Sequence, residues 1–164
     1  MKRIIIVDAD DQIIGHKERH LIQPEDKYRV SALWITNSRG DILLAKRSQQ
    51  KERHPGKWGP AVAGTVEEGE SYDDNIKKET EEELGVTSVT LTRGPKTETL
   101  GPHNHFTRWY FLTLDRSIED FKIEKNEVEE IRWVPKDELM RDIKVNPGRY
   151  LDSIEQWITF LVNE

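Results

Sequence analysis

Cysteine is absent from the 164 residues, which excludes a disulfide, a thiolate metal ligand and a cysteine nucleophile. Long apolar runs are missing too: Ile4–Val7 and Ala32–Ile35, the longest kind present, are far too short to span a bilayer. The apolar stretch after Met1-Lys2-Arg3 stops at Asp8, shorter than a secretory signal needs, so a strand is expected there and the cytoplasm is the expected location. A surplus of positive charge is lacking as well. With 25 Lys and Arg against 31 Asp and Glu the net charge is −6, which argues against polymeric nucleic acid as the main partner, as the short apolar runs argue against a membrane. A small anionic ligand is compatible with that charge, because a local cation inverts the field of a site.

What the chain does contain belongs to one folded domain. Hydrophobic residues make up 35% and charged residues 34%, no repeat or linker divides the chain, and a single domain over 1–164 is expected. Residues 3–8 and 12–18 read as a hairpin, the core of an N-terminal extension over 1–24. Residues 28–37 and 41–47 read as a second hairpin, followed by a polar loop from Ser48 to Trp58 that contains Pro55-Gly56. Small apolar residues at 61–66 suit a strand close to neighbouring backbone. A helix is predicted over Tyr72–Leu84, with a Ser71/Asp74 capping box, a terminator at Gly85 and a packing stripe of Tyr72, Ile76, Thr80 and Leu84. Strands are expected over 86–100, 105–115 and 127–134, and helices over 135–141 and 150–162. The last lies within a C-terminal helical segment, 147–162, whose apolar face is Leu151, Ile154, Trp157, Ile158 and Leu161. Strands with helices scattered among them give a mixed-sheet α/β or α+β class.

The chemistry gathers on the central helix. Glu79, Glu82 and Glu83 stand three and four apart, so they share one face and repel one another unless a positive charge sits among them. A hard divalent cation answers that need, and carboxylate oxygens select Mg²⁺ or Mn²⁺. On the helix alone, a solvated acidic face is the stronger reading, because most helical Glu clusters are that. The loop before the helix, Gly64 to Glu70, tips the balance: its glycines allow close approach of backbone to a ligand.

Read together, Gly64, Glu70, Lys78, Glu79, Glu82, Glu83, Gly85 and Val86 resemble the Nudix box: Gly, five residues, Glu, seven residues, then Arg-Glu-x-x-Glu-Glu-x-Gly and an aliphatic. The resemblance implies a Nudix-type α/β/α sandwich with a mixed central sheet, and a hydrolase that cleaves a nucleoside-diphosphate-linked or other organic diphosphate with Mg²⁺ or Mn²⁺. It implies metal ligation by Glu79, Glu82 and Glu83 with a backbone carbonyl of Ala63 or Gly64, and a supporting role for Glu70. One further acid from a later strand is implied, Glu127 first and Glu130 second. Lys78 departs from the family's arginine. A point charge replaces a planar fork, with Glu82 as its expected partner one turn on, and this departure keeps a non-catalytic diphosphate- or nucleotide-binding module as the alternative. A homodimer is compatible with the family.

Beyond the box, the opening hairpin, Leu43–Ser48, Lys51, Pro55–Trp58 and Asn126–Val128 resemble the isopentenyl-diphosphate isomerase branch. That enzyme's cysteine and metal-binding histidine correspond to Ala63 and Thr65 here, so isomerase chemistry is rejected and the architecture kept. Arg47 and Lys57 flank the site loop and are candidate phosphate ligands, with Arg53 a weaker one. His105, with His103 nearby, is a candidate substrate contact; general base, base-stacking group and plain loop histidine all remain readings of it. Trp58 and Trp109 read as core or as base-stacking groups.

Overall fold

β3 (Lys27–Thr36) is the strand that organises the sheet. The computed structural model describes residues 2–162; Met1, at the start of the expected extension, and residues 163–164, at the end of the expected domain, lie outside the described residues. Along one edge β3 pairs in parallel with β8 (Asn104–Thr113) over its whole length. Its other edge is shared in succession by β1 (Ile4–Val7) at Tyr28, by β6 (Val62–Thr65) at Val30–Leu33 and by β4 (Ile42–Arg47) at Ile35. β2 (Ile13–Lys17) extends the sheet beyond β1, and β7 (Thr92–Thr99) pairs antiparallel with β8. β4 carries β5 (Trp58–Pro60) on one side and β9 (Val128–Val134) on the other. The result is a mixed, nine-stranded sheet among the described residues.

Alternation along β3 divides the core in two. Leu33 and Ile35 face α1 (Tyr72–Leu84), packing with Ile76 and Leu84. Ala32 and Trp34 face α2 (Lys136–Val145) and α3 (Asp152–Leu161), packing with Leu139, Ile143, Ile154, Ile158 and Leu161. This is the α/β/α sandwich expected, with helices on both faces because both faces of the central strands are apolar. Each fully buried aliphatic side chain contributes roughly 1.5–3 kcal/mol.

α1 is built as its sequence predicts. Ser71 Oγ accepts from Asp74 N–H at 3.0 Å and the Asp74 carboxylate accepts from Ser71 N–H at 3.0 Å. Thr80, inside the apolar stripe, satisfies its buried hydroxyl by donating to the Ile76 carbonyl at 2.6 Å. Gly85 ends the helix at φ 67°, where its N–H reaches the Glu81 carbonyl at 2.9 Å.

Three expectations are corrected. The strand expected over 86–100 begins only at Thr92: Val86, Val89 and Leu91 pack into the core without a ladder, and Ser88 at φ 59° interrupts any extended run. The polar loop ends in a short strand, β5, because Trp58 and Gly59 pair with Lys46 and Ala45. The C-terminal helical segment is divided: a 3-10 turn covers Pro147–Arg149, Tyr150 bridges to Trp58, and α3 starts at Asp152.

The N-terminal hairpin is fastened to the box helix by Asp11. This buried residue, at φ 61°, accepts from Arg29 Nε at 2.8 Å, Tyr72 Oη at 2.9 Å and Lys96 Nζ at 2.9 Å. Burial alone would raise its pKa, but the bonds from Lys96, Arg29 and Tyr72 outweigh burial and hold the carboxyl below the usual range. A depressed carboxylate pKa adds stability that is present above the ordinary carboxylate range and is lost as pH falls through the folded-state value. Asp11→Asn, which tolerates the left-handed backbone, is therefore expected to cost about 1–3 kcal/mol at neutral pH. In urea unfolding, that difference should shrink as pH falls below the carboxylate range; a difference independent of pH would contradict it.

Candidate active site

Gly64 places the first carboxylate. A Cβ at this position would meet Glu79 Cγ at 2.5 Å and Cδ at 2.8 Å, so the Glu79 side chain lies directly against the β6 backbone. One helical turn on, Glu83 is buried, with the Ala63 backbone favouring its ionised form. Glu127, just before β9, completes the acidic group, and its charge opposes ionisation of both helix glutamates. Burial, then the like charges of Glu79 and Glu127, push the Glu83 carboxyl well above its ordinary range. Glu79 is raised in the same direction, first by burial and then by Glu82 and Glu127, against the opposing charge of Lys78.

Glu83 and Glu127 line one cleft. Its floor is small and apolar, including Ala61, Ala63 and Gly59, and its cationic wall is Lys46 and Arg47. Arg47 Nε donates to the Arg53 carbonyl at 3.0 Å, which anchors the guanidinium to the 48–57 loop. Burial lowers its pKa from the usual guanidinium value while Glu127 and Glu83 oppose that change.

The loop before α1 is braced from within. Lys78 Nζ donates to Glu70 at 3.0 Å and to Glu67 at 3.2 Å, and lies 3.6 Å from Glu79. Burial disfavours its charge, but Glu70 and Glu67 outweigh burial and raise its pKa. This corrects the expected Lys78–Glu82 pair: the loop curls back over the helix and supplies nearer partners, while Glu82 is exposed. Asn75, which the sequence does not single out, knits the same corner together. Its Nδ2 donates to the Thr65 carbonyl at 3.1 Å and to Glu70 at 3.3 Å, and its Oδ1 accepts from Ser31. A buried polar residue beside the apolar stripe of a helix is the signal that could have found it.

The remaining candidates divide. Glu130 pairs with Arg132 at 3.1 Å and is not a lining residue of the cleft. Lys57 Nζ donates to the Gly148 carbonyl. His105 stacks on Tyr28, with centroids 5.4 Å apart, and bonds through Nδ1 to the His103 carbonyl at 2.8 Å; burial lowers its pKa. Trp109 is core, donating to Thr97 Oγ1 at 3.0 Å.

The chemistry of the donor set suits a hard divalent cation: oxygen ligands only, one of them drawn out of water. Among the described residues no three acids or histidines stand at metal-site spacing. Of the three helix acids expected to converge, Glu79 and Glu83 are withdrawn from water while Glu82 is exposed, its charge still felt by Glu79.

Residues 26–153 match the family model of the NUDIX domain. An uncharacterized Nudix hydrolase of Yersinia pestis is 26% identical, covering 94% of this chain and 84% of its own. A prenyl-diphosphate phosphatase of Methanosarcina mazei is 29% identical over 96% of this chain and 94% of its own. A crystal structure from Deinococcus radiodurans superposes with a TM-score of 0.79 at 24% identity, covering 94% of this chain and 96% of that one.

The Gly64–Glu79 contact can be measured as a coupling. Gly64→Ala should destabilise by about 1–3 kcal/mol, and much of that loss should vanish when Glu79 is also Ala. Strict additivity in the urea double-mutant cycle would contradict the packing described.

Proposed function

The chain belongs to the Nudix family, and from that premise we propose that it is a metal-dependent hydrolase of a small organic diphosphate. The observation that carries the reading is the cleft lined by Glu83, Glu127 and Arg47, with Glu79 one helical turn away from Glu83 and opposing its ionisation, as Glu127 opposes that of both. Mutually repelling carboxylates with a guanidinium alongside suit a ligand that brings both a divalent cation and phosphate oxygens.

Glu79 and Glu83 would hold Mg²⁺ or Mn²⁺ together with Glu127, with Glu82 from the exposed side and backbone oxygen of Ala63 or Gly64 as further donors. When bound, the cation neutralises charge on the diphosphate and lowers the pKa of water. The residues of the chain do the rest. Arg47 directs its cationic donors at phosphate oxygens. Lys78, Glu70 and Asn75 hold the 65–70 loop so that Gly64 and Glu79 keep their geometry. A cleft carboxylate accepts the proton of the attacking water as the new P–O bond forms and the bridging P–O bond breaks. The phosphatase activity named for the Methanosarcina relative supports a diphosphate substrate.

Phosphate or diphosphate release from nucleoside diphosphates, nucleotide sugars, dinucleoside polyphosphates and prenyl diphosphates, with Mg²⁺ or Mn²⁺, tests the proposal. Turnover of at least one class is expected. Glu83→Gln should lower kcat by about 10³-fold or more. The metal-free variant should melt no lower than wild type, because a buried, repelled charge has been removed. Near-normal kcat in Glu83→Gln would contradict the assignment; ligand binding without turnover across the whole panel would make the chain a binding module instead.

A further inference from the structure

The loop over residues 48–57 carries a lysine whose partner is one of the cleft carboxylates. Lys51 Nζ lies 2.6 Å from Glu127 Oε2, and its charge also favours ionised Glu83. The loop is tied to Glu127 a second time, through the Ser48 N–H, which donates to the Glu127 carbonyl at 3.0 Å. Lys51 N–H reaches the Ser48 carbonyl at 3.2 Å, and Gln50 N–H reaches Ser48 Oγ at 3.2 Å, so the backbone around the lysine is turned in one piece. Further along, Arg53 Nη1 donates to Tyr28 Oη at 3.0 Å. Gln49, Gln50, Glu52, His54 and Pro55 are exposed, so polar contacts rather than buried apolar area hold this loop down.

An ammonium and a divalent cation both seek the Glu127 carboxylate, and one oxygen cannot serve both at full strength. Lys46, also on the cleft wall, is by contrast paired with Glu129 at 3.1 Å, away from the acidic group. We propose that Lys51 is the resident counter-cation of the cleft: it positions Glu127 and pins loop 48–57, and a divalent cation bound at Glu127 takes its place and releases the loop. The inference rests on the metal-site reading above. Its consequence is that cation occupancy and the freedom of the loop bearing Arg53 and His54 are coupled, while the acids stay screened in the metal-free protein. By linkage, the affinity lost to Lys51 equals the stability the loop loses when the cation binds.

The test uses the full chain treated with chelator. Mn²⁺ affinity is measured by calorimetry and tryptic cleavage after Arg53 is followed in time, for wild type, Lys51→Gln, Lys51→Arg and Lys46→Gln. In wild type, Mn²⁺ should speed cleavage several-fold. Lys51→Gln should bind Mn²⁺ roughly three- to tenfold more tightly, and should be cut fast with or without the ion. Lys51→Arg should behave as wild type, and Lys46→Gln, which removes a nearby charge without touching Glu127, should gain much less affinity. Mn²⁺ that binds but leaves cleavage unchanged or slower overturns the role of Lys51 and leaves the metal site standing. So does an equal gain in Lys51→Gln and Lys46→Gln. Absence of Mn²⁺ binding to wild type overturns both. Should Lys51→Gln fail to fold, the wild-type and Lys51→Arg digestions still decide.

Discussion

Repulsion among Glu79, Glu83 and Glu127 is the constraint around which this end of the molecule is built. A buried carboxylate is costly when charged, and a second and third beside it make it more so. The surrounding structure offsets that cost with close packing and nearby cations. Gly64 brings Glu79 against the backbone, the Ala63 backbone favours ionised Glu83, and cations are stationed around the group, Lys78 beside Glu79 and Lys51 beside Glu127. A fold that holds like charges together against their preference has stored a preference for a cation, and that stored preference links packing to the proposed chemistry.

The rest of the architecture supplies rigidity to those positions. α1 is held at both ends, by the Ser71/Asp74 box and by Gly85, and its apolar stripe packs on the face of β3 that carries Leu33 and Ile35. β3 pairs with β6 on the edge next to the site, so Ala63 and Gly64 are placed by a sheet and not by a free loop. Asp11 ties the N-terminal hairpin to Tyr72 at the helix start and to Arg29 in β3. The 48–57 loop is the contrasting element, fixed by polar contacts, and it carries Lys51, the partner of Glu127.

Much of this was legible in the sequence, for particular reasons. The bounds of α1 follow from local rules, a cap, a stripe and a terminator, none of which needs a distant partner. The register of Gly64, Glu70, Glu79 and Glu83 is likewise local. What could not be read depends on which way a side chain turns once distant segments meet. Lys78 has Glu82 within reach on a bare helix, and only the returning loop hands it Glu67 and Glu70 instead. His105 reads as a general base, a base-stacking group or a plain loop histidine, and only the parallel pairing with β3 shows that it stacks on Tyr28. Glu127 and Glu130 are indistinguishable by composition; the irregularity between Lys46 and Arg47 in the β4–β9 ladder separates their environments. β5 is too short to show a period at all.

The central claim is that the fold holds these carboxylates in a repulsion that a divalent cation relieves. Its most direct measure is the melting temperature of chelator-treated protein as Mn²⁺ is added, in wild type and in Glu79→Gln/Glu83→Gln. The account requires a saturable rise in wild type, worth about 2.7 kcal/mol at a hundredfold excess over Kd. It requires no such rise in the double variant, whose starting stability should already be as high as that of metal-free wild type or higher. A flat curve for wild type, or the same rise in both proteins, would contradict it.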